Sequence, residues 1–447
     1  MKIRIAISLF LIALTSQVFG QAAPTATLAP VAAPTPAGAT APRLSWLDGT
    51  IHYAVNAAEI VQYGYYGAGN TTSSTAISGV AGYSSLSQVH PTSLLFSGGV
   101  VFGQGGQGTT TYQNFAISQS LIKGLWVFNV ADSFSFLPQS PVTGVAGVPG
   151  INNPGSTPID GPSQGPAGGI LTYTGNRISN MINGTVERRL TGRTSISGTG
   201  MWSVLHFIDK NAGLDTSMLS GQVGLNHQIN ARNTASISAL YSTFDTTNLL
   251  AIYPPGFPNN DVTYQTKGIN VSYQRLWTRA LSTDISAGPM WIQTSAAQLI
   301  PDRLNYSLSA GANYNRQLTN YSLRYMHGVN GGSGVQPGAL SDAVSASVGR
   351  TFNPKWAASA SFVYTRTSGL LVVNPALGSV NGITNTEYGT LQVTHGFTRT
   401  FSGYASYTAQ NQSTNQGILL PNAFNGLSHI FGIGVSWTPQ STRLGDF

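Results

Sequence analysis

Ile269-Asn270-Val271-Ser272-Tyr273-Gln274, the connection Leu276-Trp277-Thr278-Arg279, and the arm from Leu281 to Trp291 decide the fold. Ile269, Val271 and Tyr273 alternate with Asn270, Ser272 and Gln274. After the turn, Leu281, Ile285, Ala287 and Trp291 alternate with Ser282, Asp284, Ser286 and Met290. Strand side chains point to opposite faces with period two, so each arm of Thr263–Thr294 offers one apolar and one polar face. Each arm is about as long as the 9–11 residues a tilted strand needs to cross a bilayer. The same pattern recurs to the C-terminus. It predicts an all-β chain, a transmembrane antiparallel up-and-down β-barrel.

Composition supports this reading over a soluble one. Only 8% of the 447 residues are charged, against about 25% in ordinary soluble domains. A barrel with apolar atoms outside and uncharged polar atoms inside has a mean hydropathy near zero, as this chain does. Aromatics at 10% and the sustained alternation oppose disorder beyond the N-terminal segment. The absence of cysteine excludes disulfides, thiolate metal sites and a lipid-modified N-terminal Cys. The basic residues behind the net charge of +7 are dealt out singly rather than gathered in a patch, so nucleic acid is not an expected partner.

Residues 1–20 read as a secretory signal peptide: a basic start, an apolar run from Ile5 to Phe19, and Val18-Phe19-Gly20 before Gln21. Residues 21–42 form an Ala/Pro/Thr-rich linker. Residues 43–92 are open between a further barrel hairpin and a piece packed in the lumen or periplasm, and Glu59 falls on the apolar parity there. Residues 93–447 give sixteen strands, eighteen if the N-terminal segment adds a hairpin. Their connections alternate short and long, and loops such as 136–175 and 245–262 are rich in Gly, Pro and Asn. Short periplasmic turns and long extracellular loops are the expected polarity. Charge splits the same way. Lys123, Arg189, Arg232, Arg279, Lys355 and Arg399 adjoin short turns, whereas Asp209, Asp245, Asp261, Asp302 and Asp342 adjoin long loops.

The last strand alternates Phe431, Ile433, Val435 and Trp437 with Ile430, Gly432, Gly434 and Ser436. On these features the region from about Leu94 onward resembles porin-type outer-membrane β-barrel proteins. The phrase Asp132-Ser133-Phe134-Ser135-Phe136-Leu137-Pro138-Gln139-Ser140-Pro141 further resembles one in uncharacterised secreted barrel proteins. The resemblance implies the outer membrane of a Gram-negative-type bacterium and contact with its lipid. It also implies a terminal aromatic signal, Phe447 or Trp437, read by the barrel-insertion machinery, and a homotrimer as the assembly. It brings no catalytic motif.

Gly103-Gln104-Gly105-Gly106-Gln107-Gly108 matches a dinucleotide fingerprint as a string, but a strand pattern follows where that motif needs a helix. No Gly-x-Ser-x-Gly elbow or His-Glu-x-x-His pair occurs. His206, His227, His395 and His429 lie near strand ends with no carboxylate expected beside them. No enzyme activity, cofactor or metal is expected. The aromatics of apolar parity, Trp126, Trp202, Trp277, Trp291 and Trp356 among them, suit an interfacial girdle. Arg177, Glu187, Asp284, Arg303 and Arg324 have polar parity and are the expected pore-lining residues, either paired across the lumen or setting selectivity. The wet side of 303–316 carries mostly small uncharged residues, which predicts a water-filled lumen passing small hydrophilic solutes by diffusion. The alternative is a non-conducting surface barrel with a structural or adhesive role, residues 43–92 closing its lumen.

Overall fold

The computed structural model describes residues 49–64, 70–87, 89–103, 108–138, 176–209, 212–249, 261–295, 300–330, 336–370, 382–415 and 424–444. The signal peptide, the linker and most of the 136–175 loop lie outside these. The first nine strands are β1 (Gly49–Tyr63), β2 (Thr71–Ser85), β3 (Thr92–Gly103), β4 (Thr109–Lys123), β5 (Trp126–Pro138), β6 (Asn176–Arg189), β7 (Thr194–Phe207), β8 (Asp215–Asn230) and β9 (Asn233–Thr247). Then come β10 (Val262–Leu276), β11 (Leu281–Thr294), β12 (Arg303–Arg316), β13 (Thr319–Asn330) and β14 (Ala339–Thr351). The chain ends with β15 (Trp356–Gly369), β16 (Ile383–Gly396), β17 (Phe401–Thr414), β18 (Gly426–Trp437) and the three-residue β19 (Thr442–Leu444).

From β1 to β18 each strand pairs antiparallel with its sequence neighbour, and β1 pairs with β18 from Val55↔Trp437 to Tyr63↔His429. The sheet therefore closes on itself, as a span without an exposed edge must in hydrocarbon. β19 continues β18 and adds to the start of β1, from Gly49↔Leu444 to Ile51↔Thr442. The barrel thus has eighteen wall strands. Residues 49–63 and 71–85 are strands of the wall, so the described part of 43–92 takes the hairpin alternative.

Alternation shows directly in exposure. Val55 is 46% exposed on the outer wall and Asn56, one residue on, 3% exposed on the inner. Outside, a band of exposed Val, Ile, Leu and Phe is bordered by rings in contact: Trp126 stacks on Phe128, Tyr53 meets Trp437 edge-on, and Arg275 lies 3.9 Å above Trp277. An apolar band between aromatic girdles is the exterior of an outer-membrane barrel. The eighteen wall strands run 12 to 16 residues, longer than the apolar band requires. Their ends at the long-loop rim carry Lys267, Arg366 and Glu387 on the outer wall, beyond the hydrocarbon.

Five short turns share one device. Thr278 Oγ1 accepts the amides of Ala280 and Leu281, and Thr398 Oγ1 those of Thr400 and Phe401. Thr191, Asn230 and Asn353 do the same for the amides two and three residues on. A side-chain oxygen that mimics a backbone carbonyl fixes the turn and satisfies two amides that no ladder reaches. Thr398→Ala should lower stability by about 1 kcal/mol, the net worth of a typical hydrogen bond, and Thr398→Asn should restore it. Urea midpoints of the barrel in vesicles read the difference.

The short connections 124–125, 231–232 and 317–318 all lie at one rim, with both ends of the wall. Loop length and basic charge thus coincide on one edge, the expected periplasmic one. In this cysteine-free chain, Asp209→Cys should label on intact cells and Arg232→Cys should not. The opposite pattern would invert the barrel.

Candidate functional site

The lumen is the candidate site, and its wall is built by the second parity of each strand. Much of it is hydroxyl and amide. Ser93 pairs with Ser118 at 2.8 Å, Ser322 with Ser347 at 2.7 Å, and Thr386 donates to Gln412 Oε1 at 3.0 Å. These cross-strand bonds between facing residues satisfy the inner wall without charge.

All five expected charges take the lumenal parity. Arg177 and Glu187 sit near opposite ends of β6, with Arg177 only 1% exposed. Asp284 faces Gly311 on β12, which in turn faces Arg324 on β13. The absent side chain at Gly311 is where the Asp284 carboxylate lies, since a Cβ there would fall 2.5 Å from Oδ1. Asp284 and Arg324 thus confront each other across a glycine in one row. Arg303 is apart from them, at the long-loop end of β12 and opposite Ile292. Among the described residues, none of Glu187, Asp284, Arg303 and Arg324 forms a salt bridge.

Three expectations need correction. First, the inner wall is not polar throughout. Phe244, Val262, Tyr264, Met290 and Ile292 take the lumenal parity of β9, β10 and β11 and form a buried apolar cluster with Leu214, Leu249, Ile300, Val329 and Leu370. Phe244 stacks on Tyr264 at 4.7 Å, and Tyr264 Oη donates to the Asn330 carbonyl at 2.6 Å. The cluster occupies the long-loop half of the lumen over β8–β15. The alternation puts Met290 on the polar face of its arm, but a single apolar residue among serines and glycines does not reveal a cluster built from several strands.

Second, one of the four histidines near strand ends does have a carboxylate, and so does His327, which lies outside that set. His206 Nδ1 lies 2.8 Å from Asp215 Oδ2, and His327 Nδ1 lies 2.7 Å from Asp342 Oδ1. The first pair joins the end of β7 to the start of β8 across the connection 208–214, a proximity that alternation within either strand does not reveal. Neither pair is a catalytic triad. Among the described residues His327 Nε2 is buried with no hydrogen-bond partner, so no hydroxyl is activated there. Third, adjoining a long loop does not put an acid at the mouth: Asp245 and Asp342 both lie on the outer face of the wall. Asp245 Oδ1 accepts from Thr263 Oγ1 at 2.6 Å, and Asp342 is engaged by His327 and Tyr325.

No protein-family model and no curated relative matches the chain. Solved structures similar in outline come from Pseudomonas aeruginosa and include the outer-membrane protein OprD. OpdL is 9% identical with a TM-score of 0.42, over 89% of this chain and 99% of that one. OprD is 10% identical with a TM-score of 0.39, over 89% and 95%. OccK2 (OpdF) is 10% identical with a TM-score of 0.42, over 87% and 98%. At such values the likeness is one of outline, and the fold rests on the closed ladder itself.

Proposed function

We propose that the protein is an outer-membrane channel through which small hydrophilic solutes diffuse. The observation that carries this is the closed wall of eighteen strands with hydroxyl and amide groups facing inward. A barrel of about that many strands is too wide for side chains to fill and leaves an aqueous path. The apolar cluster narrows one side of that path, a second buried apolar cluster that includes Ile60, Val101, Tyr112, Tyr404 and Ile430 lines another part of the wall, and hydroxyls and amides hold the positions between them. Asp284 and Arg324 put opposite charges on one row of the wall, a transverse field that favours neither ion sign strongly.

Purified barrel in planar bilayers tests this. Discrete conductance steps with weak ion preference are expected. Arg324→Gln leaves Asp284 to dominate its row, so the reversal potential under a salt gradient should move toward cation selectivity. Asp284→Asn should move it the other way. Both shifts should shrink between 0.01 M and 1 M salt, as the Debye length falls from about 30 Å to 3 Å. A barrel that folds but never conducts would sink the channel reading and leave a surface barrel that presents its loops.

A further inference from the structure

The wall has a seam between β12 and β13. Among the described residues their ladder runs from Arg316↔Thr319 to Leu308↔His327 and stops there. Both strands continue: Arg303–Ser307 stays paired to β11, and Gly328–Asn330 stays paired to β14. The two pairings therefore diverge toward the long-loop rim. An open sheet edge is tolerated at membrane depth only where it is covered or lines a cavity. Here the Tyr306 amide is satisfied by its neighbour's Asn305 Oδ1 at 2.8 Å.

Apolar surface runs through this seam from one side of the wall to the other. Outside, the unpaired part of β12 presents Leu304, 65% exposed, and Tyr306, 53% exposed. Val329 shares the parity of Tyr321 and Leu323, which face lipid, yet it is 4% exposed and packs in the lumenal cluster with Met290 and Ile292. Leu340, its partner on β14, packs against the same cluster. The diverging strand has thus turned an outward position into the interior. Over the end of the ladder, the Tyr306 ring stacks on His327 at 4.3 Å, and Asp342 holds His327 while accepting from Tyr325 Oη at 2.8 Å. On the lumenal side stands Arg303, opposite Ile292 of the cluster. Asp302, the nearest acid in sequence, is occupied with the Thr294 amide.

We infer that the β12–β13 seam is a lateral portal between the lumen and the outer leaflet, taking amphiphiles with an apolar body and an anionic head. The apolar body follows the surface from the cluster past Val329 to Leu304, and Arg303 receives the head on the lumenal side. Tyr306 on His327 is the outer flap. The inference goes beyond the diffusion channel and rests on it only for access from the long-loop mouth.

The test is uptake by vesicles containing the full barrel, with octanesulfonate as the permanently charged amphiphile and glucose as the hydrophilic solute. Tyr306 lies on the outer wall, away from the axial path. Tyr306→Ala should therefore raise octanesulfonate uptake several-fold and leave glucose uptake unchanged. In the cysteine-free chain, Ser307→Cys with Gly328→Cys closes the seam where the ladder would continue. Oxidation should abolish octanesulfonate uptake, and reduction should restore it. Octanesulfonate uptake that Tyr306→Ala does not change overturns the portal, and so does uptake that persists through a verified cross-link. If the cross-link does not form, the Tyr306→Ala comparison decides. Octanesulfonate passing in no variant overturns the portal too, whereas glucose reports the axial channel separately.

Discussion

Ala287→Lys should abolish assembly of the barrel into vesicles, while Ser286→Lys, one residue away, assembles. The two changes add nearly the same volume, so their contrast isolates the face of the wall. Ala287 lies on the outer face opposite Val271, midway along the apolar stretch between Thr283 and Trp291. A lysine at the midplane of the lipid face costs roughly 2–4 kcal/mol, and the cost falls to about 0–1 near the interfaces. Ser286 faces Ser272 on one side and Ser309 on the other, on the inner wall. There the ammonium group meets hydroxyls and water, and the penalty disappears. Folding yield by heat-modifiable mobility on gels reads the result directly. Equal yields would mean that the period-two assignment of β11 is wrong.

That contrast depends on a pattern legible in the sequence before any coordinate. The alternation gives strand 303–316 the bounds that it has in the fold. The reason is physical: one-residue slips would send every apolar side chain to the wet face, so burial in lipid fixes register strongly. The N-terminal hairpin was harder because Glu59 breaks the outer face of β1. In the fold its carboxylate accepts from Thr75 Oγ1 of β2 at 2.7 Å, a cross-strand partner that sequence order does not reveal. Asp132, also on the outer parity, is likewise met by Asn180 Nδ2 across the strand pair at 2.9 Å.

The lumen was less legible than the wall. Parity placed Arg177, Glu187, Asp284, Arg303 and Arg324 inside, but not which rows they share. Row membership depends on the stagger between strands, which is set by turns and by closure. Only with the register known does Asp284 face Arg324 across Gly311. The apolar cluster and the seam escaped for a related reason. Val329 belongs to the lumen because two neighbouring pairings diverge, and a period-two reading assumes that they never do.

Gly288→Ala should destabilise the barrel by an amount at or above the top of the about 1–3 kcal/mol typical of overpacking. A Cβ at Gly288 would stand 1.8 Å from the Ile269 carbonyl oxygen and 2.6 Å from Asn270 Oδ1. The first is backbone and cannot rotate away, so β10 and β11 must separate. They already pair discontinuously here, from Gly268↔Met290 to Val271↔Ala287, beside Pro289, which has no amide to offer the ladder. Displacing Asn270 also threatens the bond it accepts from Ser307 Oγ on β12. Against this, Gly→Ala at an unstrained site stabilises by only about 0.4–1 kcal/mol through the unfolded chain, so the clash wins. Gly200→Ala supplies the control, because a Cβ there meets nothing within 4 Å and faces the lipid side of β7. Its urea midpoint in vesicles should match or exceed the wild type, while that of Gly288→Ala falls well below. Matching midpoints for the two variants would show that β10 and β11 do not approach as closely as this packing requires.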